Sequence, residues 1–145
     1  MNEANIALLK RAWIAYNQGD EEEFAACLTS DWKEYGSPDA TEYGTLENER
    51  RTMREDRIAF PDKHAEIHMI LADDDTVACF LTVRATHTGK YLDLEPTGKT
   101  VIGHEMMFNR VRDGKISVTY AMVTGPSFYE QITGKEIPVK LDNFG

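Results

Sequence analysis

Several features that define other classes of protein are scarce in this chain of 145 residues. Its two cysteines, Cys27 and Cys79, lie in apolar contexts without CxxC or Cys/His ligand spacing, so we expect buried free thiols. No apolar run approaches the ~20 residues that a membrane span needs, and we expect no membrane partner. The start Met1-Asn2-Glu3 lacks the basic and apolar stretches of a signal peptide, which predicts a cytoplasmic protein.

Positive charge is also scarce. The chain has 16 Lys and Arg against 25 Asp and Glu, a net charge of -9. Because phosphate binding needs clustered Lys and Arg, we expect no nucleic-acid partner. The acidic run Asp73–Asp75 lacks the spaced ligands and the later glutamate of a calcium loop. We interpret it as a solvated turn, and we predict no metal site.

Hydrophobic periodicity divides the chain into helices followed by strands. A three-and-four spacing of apolar residues from Ile6 to Tyr16 predicts a helix over residues 3–18. Asp20 and Thr45 are suited to cap two further helices, and Ser127 begins a final helical turn. Period-two alternation and turn residues predict strands at 32–35, 65–71, 76–87, 100–112 and 115–123.

This order of elements indicates the fold class. Helices that precede a meander of strands are typical of an α+β domain, in which the helices cover one face of a curved antiparallel sheet. At this length we expect one domain, over residues 1–134, followed by a polar tail over residues 135–145.

The stretch from Val83 to Gly114 is the most informative about a site. Two predicted strands flank a loop marked by glycine and proline, and His87, His104 and Glu105 lie on or beside those strands. A sheet floor with ionisable groups near a loop indicates a small-molecule pocket. His104 is the first candidate for an acid or base, because an unperturbed histidine has a pKa of ~6.5.

The alternation of strand 100–112 limits which side chains can enter one pocket. Successive side chains face opposite sides, so His104 and Glu105 can share a pocket only if a bulge intervenes, and Gly103 makes a bulge possible. Both faces of this strand carry apolar residues. We therefore expect helices on one face and a second subunit on the other, in a homodimer.

Five short motifs give the chain a family resemblance. In sequence order these are Tyr16–Asp20 ("NxGD"), Phe60–Asp62 ("FPD"), Thr86–Tyr91 ("THxGxF"), Pro96–Lys99 ("PTGK") and Arg110–Ile116 ("RxxDGKI"). With them the chain resembles the SnoaL-like polyketide cyclases, a family with the fold of nuclear transport factor two and ketosteroid isomerase. The resemblance implies a sheet and three helices that enclose a cone-shaped cavity.

The last strand departs from the family pattern. Relatives usually carry Glu, Trp and Asp where this chain has Val118, Tyr120 and Thr124, and that Asp is the acid/base of the cyclases. A threonine hydroxyl cannot shuttle protons near neutral pH as a carboxylate can. The resemblance also places the face of Tyr120 and Thr124 toward the cavity. Tyr35 likewise stands where relatives often have His.

For each of the remaining candidates, two interpretations stay open. Arg84 is suited either to bind an acidic substrate or to form a salt bridge in a dimer, and His87 either to act in the site or to bond the loop backbone. Aromatic residues are suited to a cavity wall but also to the core. The full set of candidate ligand-binding residues is Trp13, Tyr16, Trp32, Tyr35, Arg84, His87, Met107 and Thr124.

These observations predict acid/base chemistry without cofactor or metal, on an apolar molecule that carries carbonyl or hydroxyl groups. Cyclisation, isomerisation, dehydration and epoxide opening all fit. His104 or Glu105 would move the proton, and Tyr120 or Tyr35 would donate to the developing oxyanion. The alternative is a non-catalytic small-ligand-binding or accessory protein, which Thr124 favours.

Overall fold

A six-stranded curved sheet forms the frame of the molecule, and helices cover one of its faces. The computed structural model describes residues 2–135. In chain order the elements are α1 Glu3–Gln18, α2 Glu21–Ala26, β1 Leu28–Tyr35, β2 Gly44–Thr45, α3 Leu46–Ala59, β3 His64–Ala72, β4 Thr76–Thr86, β5 Thr100–Arg112, β6 Lys115–Thr124 and α4 Phe128–Thr133.

The strand order is β2-β1-β6-β5-β4-β3. The long strands β3 to β6 form an antiparallel meander, and β4 pairs with β5 in one unbroken register from Thr76↔Arg110 to Thr86↔Thr100. β1 runs parallel to β6. The chain between these two strands contains β2, α3 and the strands β3 to β5, which is long enough for a parallel connection. Such a pairing joins distant segments, so local periodicity does not reveal it.

Side-chain caps fix where the helices begin. The Asp20 carboxylate accepts from the amide of Glu23 at 3.1 Å, as predicted, but the Glu23 side chain pairs with Arg11 and does not complete a capping box. Thr45 begins α3 with a full capping box to Asn48. These caps satisfy amide groups that a helix start leaves without partners.

The two faces of the sheet differ in composition. On β5 the odd-numbered residues, including the buried Val101 and Met107, point toward the helices, and we call this side the inner face. The even-numbered residues point to the opposite side, the outer face, where Met106 and Phe108 are exposed. The main core lies between the inner face and α1, α2 and α3, and it contains both free cysteines.

The loop after β4 is anchored on the end of α3. A Cβ atom at Gly89 would lie 1.8 Å from the carbonyl oxygen of Ile58, so only glycine permits this approach. The amides of Thr88 and Gly89 both donate to the carbonyl of Ala59 at 3.1 Å. The anchor carries His87 into a fully buried position beside Phe60.

The predicted α+β class, with helices on one face of a curved sheet, is confirmed. Two details differ from the expectation. The segment from Ser127 is a true fourth helix, because its capping box and the buried Ile132 stabilise it, and one strand pair is parallel. The predicted tail, beyond Lys135, lies outside the described residues.

Candidate functional site

The inner face and the helices enclose two neighbouring chambers. The mouth chamber has a volume of about 230 Å³, and its walls include Lys63, Tyr91, Gly103, Glu105 and Phe128. The deep chamber has a volume of about 40 Å³, and its walls include Trp13, Trp32, Glu34, Glu49, Met107 and Asn109. Glu105 and Met107 are successive inner-face residues of β5, so the two chambers adjoin along this strand.

Three glutamates from three elements converge on these chambers. Glu34 comes from β1, Glu49 from the first turns of α3 and Glu105 from β5, and all three are half-buried. Strand alternation explains why Glu34 and Glu105 point inward. Glu34 pairs with the buried Thr119, and Glu105 lies between the buried Gly103 and Met107. The site is therefore rich in carboxyl groups inside an otherwise apolar cavity.

The environment raises the pKa of each of these carboxyls. For Glu34, burial is the main cause, and the charges of Glu49 and Glu105 add to it, which raises its pKa to about 7. Burial also raises the pKa of Glu49, with smaller contributions from Asp56 and Glu105 that act against Lys63. For Glu105, burial raises the pKa against the opposing effect of Lys63. Such groups exchange protons closer to neutral pH than an exposed glutamate does.

The ammonium group of Lys63 faces these carboxyls. The Nζ atom of Lys63 lies 2.6 Å from Oδ2 of Asp56, 5.2 Å from the ring centre of Tyr16 and 5.9 Å from that of Phe128. Burial alone would lower the pKa of Lys63, but the adjacent Asp56 carboxylate raises it, and the net effect is a raised pKa. Lys63 therefore remains a cation at the wall of the mouth chamber.

The polar floor of the deep chamber is already hydrogen-bonded. Trp32 Nε1 donates to Thr119 Oγ1 at 3.0 Å, and that hydroxyl donates to Asn109 Oδ1 at 2.8 Å. Asn109 Nδ2 then donates to the carbonyl of Val77 at 3.1 Å. These side chains are locked in place by one another.

Several predicted site residues lie at the chambers. Glu105 lines the mouth chamber, and Trp13, Trp32 and Met107 line the deep chamber. Tyr16 is buried beside Lys63, and burial raises its pKa to about 12, so it keeps its proton and can donate a hydrogen bond. Helix spacing had grouped Trp13 with Tyr16, and strand alternation had grouped Glu105 with Met107.

His104 lies on the opposite side of the sheet. Its Nδ1 bonds to the hydroxyl of Thr82 at 2.9 Å, which bonds in turn to Nε2 of His68 at 2.7 Å, all on the outer face. The bulge that would have brought His104 beside Glu105 is absent, since the β4–β5 register is unbroken. The ring of Phe128 packs over Gly103, where a Cβ atom would lie 3.4 Å from it, an ordinary contact distance.

Four more candidates lie away from the chambers. Tyr35 and Tyr120 pair across β1 and β6 on the outer face, with ring centres 5.9 Å apart, and Arg84 is exposed on the same side. Thr124 is exposed at the end of β6, where its hydroxyl donates to the carbonyl of His104 at 3.4 Å. The expectation that the face of Tyr120 and Thr124 lines the cavity is corrected, because β6 pairs these residues with the outward-facing Phe108 and His104.

His87 has a position that supports the loop. Its Nδ1 accepts from the amide of Thr97 at 3.3 Å and lies 2.9 Å from that residue's hydroxyl, and the ring packs near Phe60 and Tyr91. Of the two interpretations of His87, this arrangement corresponds to bonding of the loop.

The sequence analysis missed Glu34, Glu49, Asp56 and Lys63. Glu34 follows Trp32 at the two-residue spacing of one strand face, so the buried tryptophan was an available signal. Glu49 and Asp56 stand in a helix with many charged residues, where the composition hides those that point inward. Lys63 follows the Phe60–Asp62 turn, and no local pattern marks it.

Two features are absent from the part of the chain that the structure describes. Among residues 2–135, no three His, Cys, Asp or Glu side chains are grouped closely enough to hold a metal ion. None of the helices in that range combines the length and the apolar character that crossing a membrane requires.

Comparison with known proteins identifies the family. The sequence profile of the SnoaL-like polyketide cyclases matches residues 7–123. The chain therefore belongs to the SnoaL-like polyketide cyclase family, as its motifs indicated. No curated protein matches the chain.

Solved structures share this fold. AclR, a proposed hydroxylase from Streptomyces galilaeus, has a TM-score of 0.78 at 26% identity, and the match covers 95% of this chain and 90% of AclR. IdmH, a proposed polyketide cyclase from Streptomyces antibioticus, has a TM-score of 0.70 at 23% identity, with 84% and 92% covered. A SnoaL-like protein from Jannaschia has a TM-score of 0.73 at 12% identity, with 94% of each chain covered.

The raised pKa of Glu34 predicts a specific pH dependence of stability. Between about pH 4.5 and 7 the unfolded chain has lost a proton that the folded chain keeps, so the wild type loses stability as the pH rises. Glu34→Gln cannot ionise. From pH 4.5 to pH 8 it should therefore gain stability relative to the wild type, by up to about 3 kcal/mol.

Urea unfolding of both proteins at the two pH values measures this difference. Glu66→Gln serves as the control, since Glu66 is exposed on β3 and should follow the wild type. If Glu34→Gln shows the same loss of stability as the wild type, the carboxyl is not held in its neutral form.

Proposed function

We propose that this protein is a small-molecule enzyme that performs acid/base chemistry on an apolar substrate carrying carbonyl or hydroxyl groups. The observation that carries the proposal is a carboxyl of raised pKa, Glu105, facing an apolar chamber that also holds the Lys63 ammonium. Cyclisation, isomerisation, dehydration and epoxide opening each need one group that moves a proton and one that stabilises a developing oxyanion.

Glu105 is suited to the proton transfer. It lies between Gly103 and Met107 on the inner face, in reach of a ligand in the mouth chamber, and a partly desolvated carboxylate is a stronger base than a hydrated one. These features support Glu105, in place of His104, as the general base.

Lys63 is suited to stabilise the charge that forms. The Lys63 ammonium lines the same chamber, and Asp56 at 2.6 Å holds it in position. A fixed cation in an apolar site stabilises an enolate or alkoxide more than the same group would in water. In the deep chamber, Glu34, with a pKa of about 7, is suited to take up or return a second proton near neutral pH, and the pKa of the neighbouring Glu49 is also raised.

The rival function is non-catalytic ligand binding, and one observation favours it. The position where the family resemblance places the catalytic Asp is Thr124, an exposed residue at the strand end. If the reaction of this family depends on that Asp alone, the chain would bind its ligand without turning it over. AclR, described as a proposed hydroxylase, indicates that proteins with this fold are assigned different reactions.

A generic base reaction separates the two functions without knowledge of the natural substrate. The probe is 5-nitrobenzisoxazole: a base removes the proton from C3, the N–O bond breaks, and the electron pair ends on oxygen as 2-cyano-4-nitrophenolate. Glu105→Gln should lower the rate of this elimination by roughly 10²-fold, the usual contribution of a positioned base. Absorbance of the phenolate measures it.

The pH profile and two controls sharpen this test. The wild-type rate should rise with pH through a midpoint above the ~4.3 of an ordinary glutamate, because burial raises the pKa of Glu105. Glu66→Gln repeats the chemical change on the outer face, and His104→Gln changes the adjacent residue. Both should keep the wild-type rate, and a loss in His104→Gln with none in Glu105→Gln would contradict the proposal.

We also propose a homodimer through the outer face, with no nucleic-acid partner and a cytoplasmic location. Large apolar side chains are exposed together there: Met69, Leu71, Met106, Phe108 and Met122. A contiguous apolar patch of this kind is typical of an interface, and a second copy of the same face would match it in composition. The net charge of -9 is unfavourable for nucleic acid.

The dimer predicts the behaviour of one outer-face variant. Light scattering at micromolar concentration should give twice the mass of one chain, and Phe108→Glu should give the mass of one chain because it places a charge in the apolar patch. The chambers lie on the other side of the sheet, so the fold should persist. A wild-type protein with the mass of a single chain is the result that rules the dimer out.

A further inference from the structure

The strand β5 extends beyond its neighbour β6. Pairing with β6 ends at His104↔Thr124, whereas pairing with β4 continues to Thr86↔Thr100. Among residues 2–135, the end of β5 therefore has no strand partner on the β6 side. There the side-chain amide of Gln131 takes the place of a strand: it accepts from the amide of Ile102 at 2.9 Å and donates to the carbonyl of Ile102 at 2.6 Å.

This pair of hydrogen bonds holds α4 over the mouth chamber. Lys99 Nζ donates to the carbonyl of Ile132 at 2.8 Å, and the Ile132 side chain is buried against Phe60, Ala85 and Val101. The helix is thus fixed on the sheet by side-chain contacts at more than one position. The residue that α4 presents to the chamber is Phe128.

The ring of Phe128 is packed from several sides. It lies over Gly103, where a Cβ atom would be 3.4 Å from the ring, and it contacts Phe60 edge to face with ring centres 5.4 Å apart. In the same chamber stand Lys63 and Glu105, the groups of the proposed chemistry. Phe128 is thus a wall of the space in which those groups would meet a substrate.

We propose that Phe128, positioned by Gln131, sets the size of the molecule that the site accepts. This inference rests on the proposed function and narrows its substrate class. A volume of about 230 Å³ is below the ~300–1,000 Å³ of pockets for drug-sized ligands, so the chamber takes a hydroxylated compound of one or two fused rings. A third ring requires the space that Phe128 fills.

Two fluorescent phenols of different size test the inference. 2-Naphthol has two fused rings and 2-hydroxyanthracene has three, with the same hydroxyl group. In the wild type, fluorescence titration should show tighter binding of 2-naphthol. In Phe128→Ala the affinity ratio should shift at least about 10-fold toward 2-hydroxyanthracene, an effect of about 1.4 kcal/mol. Phe128→Leu, a smaller change that preserves packing, should shift the ratio in the same direction.

The neighbouring residues provide the controls. Tyr129→Ala alters the next residue of α4, which does not line the chamber, and should leave the ratio unchanged. Gln131→Ala removes both bonds to Ile102, so Phe128 should lose its fixed position and the ratio should shift as in Phe128→Ala. A purely structural role of Gln131 would lower the melting temperature without changing this ratio.

The outcomes separate the inference from the proposed function. An unchanged ratio in both Phe128 variants overturns the inference, and so does a lack of binding of either phenol to the wild type and the variants. If the ratio is unchanged while Glu105→Gln still lowers the elimination rate, the proposed function stands alone. If the ratio shifts while Glu105→Gln has no effect, the size limit stands and the catalytic role of Glu105 is wrong.

Discussion

The unbroken pairing of β4 with β5 is the constraint on which the arrangement of the chambers and of the outer face depends. Because no bulge interrupts the eleven paired positions from Thr76↔Arg110 to Thr86↔Thr100, each side chain of β5 is committed to one face. Glu105 is thereby turned to the chambers and His104 to the outer face. A shift of one residue would exchange them, and would also move Met106 and Phe108 into the core.

The second constraint is the burial of carboxyl groups. For Glu105 this burial follows from the β4–β5 register, which turns the side chain inward. Placing Glu34, Glu49 and Glu105 at a cavity between the sheet and α3 costs stability, because each charge loses part of its hydration and repels the others. The fold tolerates this through the buried cation Lys63 and through the raised pKa values of the carboxyls, which favour their neutral forms. Carboxyl groups that are kept in a cavity at a cost in stability are typical of a functional site, because a purely structural cavity wall would be more stable with apolar side chains.

Much of the frame was accessible from the sequence, whereas the site was accessible only in part. Local signals such as the spacing from Ile6 to Tyr16 and the caps at Asp20 and Thr45 are physical causes of the helices, so they predicted them. The direction of the β5 side chains was different, because Gly103 fits either a bulge or a regular strand. The pairing with β4 decides between them, and no local signal reveals it. Glu34 and Glu49 were missed for a similar reason. Which charged residue of β1 or α3 points inward depends on the parallel pairing of β1 with β6, a contact between segments more than 80 positions apart.

The central claim is that the chambers hold glutamates whose proton affinity the fold has raised. A carbon-13 NMR titration of the glutamate side-chain carboxyls tests it most directly, with assignments from the Glu34→Gln and Glu105→Gln variants. We expect Glu34 to be half-titrated near pH 7, and Glu49 and Glu105 to titrate above the usual glutamate range of ~4.3. If all glutamates titrate together at the ordinary value, the chambers are hydrated and the site described here does not exist.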